Sequence, residues 1–187
     1  MAERIRPEVA VLVGRRIRAL RSASGESVAH LAQRSEVSRR MLTQIELGQA
    51  NPSLGTVDRI AAALGTTFAA LVGMIGAPSS DAVKVWSTPN GSWAYLLKAS
   101  ETSHVSVELW KWHITGDDSY GVTPTPGAPD SMVHVSQGVL RVRSAATAFL
   151  TEANESAAIP SGSPYAFEAG SDAVDFLSVV MIPREDS

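Results

Sequence analysis

The feature that most constrains this chain is a change of hydrophobic period near residue 73. Before it, apolar residues recur every three or four positions; beyond it, they come in short runs rich in Val, Trp, Tyr and Phe. A helix repeats every 3.6 residues and a strand every two, so one period cannot serve the other structure. The chain therefore divides into two domains of different class, and its 187 residues are enough for both.

The front half reads as five short helices. Pro7 suits a first turn, and Val9, Leu12, Val13, Ile17 and Leu20 then share one helical face. Ser27 can cap a second helix carrying Val28, Leu31 and Ala32, and Ser38 a third that runs to Leu47 and stops at Gly48. Pro52 and Ser53 open a fourth, with Leu54, Val57, Ile60, Ala61 and Leu64 inward, and Thr67 to Val72 make a fifth. The expected architecture is an all-α five-helix bundle over residues 1–73, with its core at 14–72. The Gly-, Pro- and Ser-rich stretch 74–80 reads as a linker. Residues 81–187 carry nine candidate strands: Val83–Ser87, Ser92–Lys98, Val105–Ile114, Met132–Ser136, Val139–Arg143, Ala146–Leu150, Ala157–Pro160, Tyr165–Glu168 and Val174–Ile182. Many short strands between turn signals argue for an all-β sandwich or small barrel.

Charge separates the halves. Residues 1–76 hold ten arginines, no lysine and six acids; residues 77–187 hold six basic and thirteen acidic residues. A net −3 thus conceals a basic front, which suits a polyanion partner, and an acidic rear. The absence of cysteine excludes a disulfide framework and thiolate chemistry. No apolar run approaches the ~20 residues of a membrane span. The charged start of the chain lacks a signal-peptide core, so a cytoplasmic protein with no membrane partner is expected.

The stretch Ser35–Ser53, "SEVSRRMLTQIELGQANPS", carries the sharpest chemistry. On a wheel of 100° per residue, Arg39, Arg40, Thr43, Gln44 and Leu47 share one arc, and Met41, Leu42, Ile45 and Glu46 the opposite one. The second arc must pack inward. The first presents two guanidinium groups, a hydroxyl and an amide, the groups that read guanine, adenine and phosphate. A short helix before it, joined by the turn "SEVS", gives helix-turn-helix geometry.

From Gly14 to Val72 the sequence resembles the five-helix domain of lambda-repressor-like, or XRE-type, regulators, with Ala32, Val37, Leu42, Ile45 and the Ile-Glu-x-Gly then Asn-Pro-Ser run at matching places. The resemblance implies DNA contacts from Ser38, Arg39, Arg40, Thr43 and Gln44, and a structural pair between Arg21 and Glu46. Two positions depart from it: Glu36 stands where the family usually has Gly, and Leu47 where it often has a polar residue.

Residues 120–142 and 159–170 are similar to the two motifs of the cupin barrel, a double-stranded β-helix or jelly roll. Cupins of the metal-binding kind place their ligands at positions that are Thr125, Gly127, Ser131 and Tyr165 here, none a good metal ligand. Strand parity sends Val133 inward and His134 outward, and Tyr165 and Phe167 share the inward face, as Trp110 and Trp112 share one on another strand. An effector pocket formed by Tyr165, Phe167, Trp110, Trp112, Ser131 and Val133 follows as an expectation. No catalytic residue, cofactor or metal is expected. The resulting reading is a DNA-binding regulator, a repressor in sign, acting as a homodimer on a palindromic operator and answering to a small organic effector. Its rivals are an antitoxin-like protein whose rear domain serves only dimerisation or partner binding, and a cupin enzyme.

Overall fold

The computed structural model describes residues 5–73, 82–145 and 148–184. It separates into two compact units, one holding the helices and the other the strands. The residues read as a linker, 74–80, lie outside the described residues.

The helical unit contains α1 (Pro7–Ala23), α2 (Val28–Arg34), α3 (Arg39–Glu46), α4 (Leu54–Ala63) and α5 (Phe68–Leu71). Local chemistry sets the boundaries. The side chains of Ser27, Ser38, Ser53 and Thr67 accept hydrogen bonds from the N–H groups of His30, Met41, Thr56 and Ala70, capping α2 to α5. Proline occupies the first turn of α1, where its missing N–H costs nothing. Four helices are followed by a glycine at positive φ; α2 is followed instead by Glu36 at φ +54°. A side chain in this left-handed region costs about 1–2 kcal/mol, so the second turn is held by its surroundings. Val37 N–H donating to the Ala32 carbonyl, and buried Ser35 bonded to the Leu31 carbonyl, supply the hold.

Val9, Ala10, Val13, Gly14 and Ile17 of α1 are buried, and α1 packs on α3 and α5. At Gly14 the two helices nearly touch: a Cβ there would overlap the backbone carbonyl of Ile45. This close approach rotates the buried stripe toward Ala10 and Gly14, leaving Leu12 38% and Leu20 42% exposed, where the sequence reading had put both inside. Met41, also expected inside, is exposed, because α3 buries only Leu42, Ile45 and Glu46.

The second unit is one antiparallel sheet in the order β1-β2-β3-β8-β5-β6, with β4 against β8 and β7 against β5. Its strands are β1 (Val83–Ser87), β2 (Trp93–Glu101), β3 (Val105–Thr115), β4 (Ser119–Val122), β5 (Ser131–Ser144), β6 (Ala148–Glu152), β7 (Ser156–Ile159) and β8 (Tyr165–Pro183). Two pairs of expected strands prove continuous: Met132–Ser136 with Val139–Arg143, and Tyr165–Glu168 with Val174–Ile182. Gly138, at φ +79° beside two register shifts, bends β5 without ending it. The expected strand at Ala146–Leu150 begins at Ala148, residues 146 and 147 lying outside the described residues. β4 was missed, being four residues long with Gly121 in its middle.

The register shows how the sheet folds over. The second half of β8 pairs with β3 and its first residues with β4, while the two halves of β5 pair with β7 and β6. Aromatic side chains span the layers so formed: Trp112 of β3 meets Tyr120 of β4 at 4.6 Å and Phe167 of β8 at 5.5 Å between centroids. At one edge Asp118 accepts hydrogen bonds from Thr88, Ser92 and Asn90, tying the β1–β2 turn to the β3–β4 turn. Burial pushes this carboxyl up, but the three hydrogen bonds outweigh it and hold the pKa below the usual value.

Two substitutions in the helical unit should shift its stability in opposite directions. Gly14→Ala should destabilise by about 1–3 kcal/mol, because the methyl has only backbone to displace. Glu36→Gly should stabilise by about 1 kcal/mol, by removing the left-handed penalty. Denaturant midpoints of the two variants check both signs.

Candidate nucleic-acid interface

The candidate surface is built on α3, whose first two residues are Arg39 and Arg40. Both side chains are exposed, on the side away from buried Leu42 and Ile45. Thr43 and Gln44, one turn further on, are half-buried. The hydroxyl of Thr43 donates to the Arg39 carbonyl at 2.9 Å, which fixes its rotamer. Ser38 uses its side chain as the α3 cap, so its hydroxyl is engaged with its own helix. The exposed guanidinium groups lie in the first turn, where unsatisfied backbone N–H groups add to the positive field. Arg15, Arg18, Arg34 and Arg59 are exposed elsewhere on this unit.

One ion pair sets the attitude of α3. Arg21, near the end of α1, donates through Nε to Glu46 Oε1 at 2.6 Å and through a terminal nitrogen to Oε2 at 2.9 Å. Its other terminal nitrogen donates to the Glu26 carbonyl at 2.8 Å, before α2 begins. Side-chain exposures of 13% and 6% show the pair largely withdrawn from water. Donating this hydrogen bond to Glu46 raises the Arg21 pKa further. One guanidinium thus binds α1, the loop after it and the recognition-type helix together.

Sequence reasoning missed Glu26. Its carboxylate lies 2.8 Å from His30 Nδ1 and 3.6 Å from Arg34, anchoring the start of α2 to its end. The four-residue spacing of Glu26 and His30 was a usable signal. Gly14 stood in the sequence without a hint that its missing side chain is what admits Ile45.

In the β-unit the expected pocket residues occupy a packed interior. Trp112 stacks on Phe176 with centroids 5.9 Å apart, and Phe167 meets Phe176 at 4.9 Å. Trp110 donates to Glu108 and Trp112 to Ser178, both at 2.9 Å. Val133 is buried on the same side of the sheet as these rings. Tyr165 and Ser131 are buried and hydrogen-bonded to each other. Of the six residues expected to form one cavity, Tyr165 alone lines the pocket found here. That pocket is bounded by β5, β6 and the segment entering β8. The other five are not on its walls, because bulky aromatic side chains from both layers fill the space between them. His134 is exposed and bonded to Ser156; His113 pairs with Asp175 at 3.1 Å. The cupin ligand positions do not fit a metal: Gly127 offers no side chain, and Ser131 and Tyr165 satisfy one another. Among the described residues no group of three or more His, Cys, Asp or Glu could hold one.

Residues 12–72 match the family model described as a helix-turn-helix domain. Over 61 residues the chain is 41% identical to an immunity repressor protein of Bacillus phage phi105, a match spanning 33% of this chain and 42% of that relative's length. The solved structure of an HTH_3 family transcriptional regulator from Vibrio cholerae has the same fold. It covers 95% of this chain and 99% of its own, with 21% identity and a TM-score of 0.69. A cupin domain of an XRE family transcriptional regulator from Enterobacter cloacae aligns with 42% of this chain and 83% of its own, at 19% identity and a TM-score of 0.38.

Removing one partner of the Arg21–Glu46 pair should cost far more than a surface substitution. Glu46→Ala strands a guanidinium in a site shut off from water, and a loss of about 3 kcal/mol is expected. Glu46→Gln, which keeps the shape and one acceptor, should lose less. Thermal unfolding of the two variants against the parent tests the order, and equal melting temperatures in all three would exclude the pair as a clamp.

Proposed function

We propose that the chain is an XRE-type, sequence-specific transcriptional regulator that binds double-stranded DNA through the helix-turn-helix domain matched at residues 12–72, with a cupin-like β-domain following it. The observation that carries this reading is the face of α3: Arg39 and Arg40 exposed in its first turn, Gln44 one turn on, and the helix fixed from behind by Arg21 and Glu46. An arginine beside a guanine edge, or a glutamine beside adenine, reads sequence; the other exposed arginines suit phosphates. Repression is the sign favoured by likeness to the 41% identical phage immunity repressor. DNA binding also supports a cytoplasmic setting. Among the described helices none is long and apolar enough to cross a membrane.

The finer architecture belongs to the same proposal. Residues 1–73 form a five-helix bundle, 74–80 a linker, and 81–187 a double-stranded β-helix; the layered pairing of β5 and β8 supports the last. We assign Ser38, Arg39, Arg40, Thr43 and Gln44 to the DNA face, with Ser38 contributing through its cap. The β-domain takes up an effector and holds the dimer. The packed aromatic interior favours a second reading, in which this domain serves dimerisation alone.

A short recognition helix spans few base pairs, so a palindromic operator with half-sites about 34 Å apart, or a multiple of that, requires two copies. Leu12, Leu20, Met41 and Leu47 are exposed on the helices and offer some apolar surface there. The stronger support for a β-domain dimer is the outer sheet face, where Leu109, Val179 and Met132 stand in one cross-strand row. Met132 is 48% exposed, and apolar rows of this kind mark association surfaces. Lys111 and Asp175 bring both signs of charge to the same face, which lets two copies complement each other across a two-fold axis.

Two measurements test the proposal. Replacing Arg39 or Arg40 by Ala should weaken operator binding by about 1–3 kcal/mol and relax preference at one base pair. If the arginine touches phosphate instead, affinity should fall for all sequences and the salt slope by about one. Unchanged operator affinity in the double alanine variant refutes the assignment. In sedimentation, a fragment ending at Ala77 should be monomeric and one beginning at Asp81 dimeric; a monomeric β-fragment overturns the dimer placement.

A further inference from the structure

A pocket of about 230 Å³ opens at one end of the β-domain, bordering the aromatic interior through Tyr165, whose ring meets Phe167. Val142 and Ser144 of β5 form one wall, Phe149 of β6 another, and the segment from Ile159 to Tyr165 closes it. Its inner end is formed by Val142, Ile159 and Tyr165, all buried, while Gly162 and Ser163 at the mouth are exposed. Among the described residues the lining is mostly hydrocarbon, with hydroxyls from Ser144, Ser163 and Tyr165 and no charged side chain.

That chemistry restricts what can bind. An ion moved into these walls would lose its hydration and gain no counter-charge, a penalty that a neutral molecule avoids. An apolar cavity of 150 Å³ holds benzene, so this one admits a single ring with one or two small substituents. The Tyr165 hydroxyl is bonded to Ser131, and burial raises its pKa, so it stays protonated and neutral at ordinary pH. We propose that the pocket binds a small, uncharged, mainly hydrocarbon molecule of single-ring size whose one or two polar groups meet the serine and tyrosine hydroxyls. As the site of an effector it rests on the regulator reading above; as a binding site it does not. It replaces the location expected from the sequence, since Trp110, Trp112 and Phe167 are packed against their neighbours.

The test uses the full chain and three neutral probes, 4-methylphenol, benzyl alcohol and cyclohexanol, with 4-methylbenzoate as the charged counterpart of the first. Titration calorimetry should show saturable one-to-one binding of at least one neutral probe, with 4-methylbenzoate at least ten-fold weaker than 4-methylphenol. Ser163→Phe and Ser144→Phe each place a ring in the pocket and should weaken the bound probe at least ten-fold. Asp117→Asn, at an exposed position between β3 and β4, should leave its affinity unchanged. Circular dichroism identifies variants that retain the fold, and Ser163, at the exposed mouth, is the position that tolerates a ring. No saturable binding by any neutral probe, equal affinity for the carboxylate, or binding that survives both folded phenylalanine variants overturns the proposal. DNA binding by the same preparation separates the two readings. Intact DNA binding without probe binding removes the pocket and leaves the regulator. Probe binding without DNA binding does the reverse.

Discussion

The crossing of α1 over α3 is the constraint on which the candidate DNA surface depends. Gly14 removes the side chain that would hold the helices apart, and the Ile45 carbonyl occupies the vacated space. Once they are this close, Arg21 reaches Glu46 with two hydrogen bonds. The pair is costly to desolvate, so its geometry must be good to be worth having. Both oxygens of Glu46 are used, and Arg21 spends its remaining terminal nitrogen on the Glu26 carbonyl. A helix of eight residues has little stability of its own. What orients α3 is this clamp together with buried Leu42 and Ile45, and the outward direction of Arg39 and Arg40 is its consequence.

The β-domain solves a different problem. Two long strands, β5 and β8, each take part in both layers, so the layers cannot separate without breaking a strand. The space between them is filled by rings: Trp86, Trp112, Tyr120, Phe167 and Phe176 each meet another within 6.4 Å. Two polar pairs are accommodated among the rings, Trp112 with Ser178 and Tyr165 with Ser131. One pocket opens where this filling stops, at the end where β8 begins.

Elements governed by local chemistry were legible in the sequence. Ser27, Ser38, Ser53 and Thr67 announced the helix starts, since an N-cap is a contact between a residue and the N–H three positions on. The alternation of Val133 and His134 told inside from outside. What was not legible depended on partners distant in sequence. Leu12 and Leu20 looked internal because a wheel cannot know which arc a neighbouring helix meets, and Gly14 decided that here. The breaks expected inside β5 and β8 were bends, since Gly138 turns a chain whose pairing with β8 resumes on the far side. The same limit applied to the pocket. Parity correctly sent Trp110, Trp112 and Phe167 inward, but it could not say whether the space between them was open or full.

The charge division acquires a physical sense from these two interiors. The helical half exposes Arg15, Arg18, Arg34 and Arg59, with Arg39 and Arg40 at a helix start whose free N–H groups add to their field. The β-half carries most of the acids: Asp118 accepts from neutral groups at the turns, Glu168 lies beside Arg143, and Asp175 beside His113. Such a surface repels a polyanion at distances set by the Debye length, about 8 Å in physiological salt. A nucleic acid approaching the whole chain is therefore attracted by one half and repelled by the other. The β-domain sets beside these charges a mostly hydrocarbon pocket and the apolar row of Leu109, Val179 and Met132.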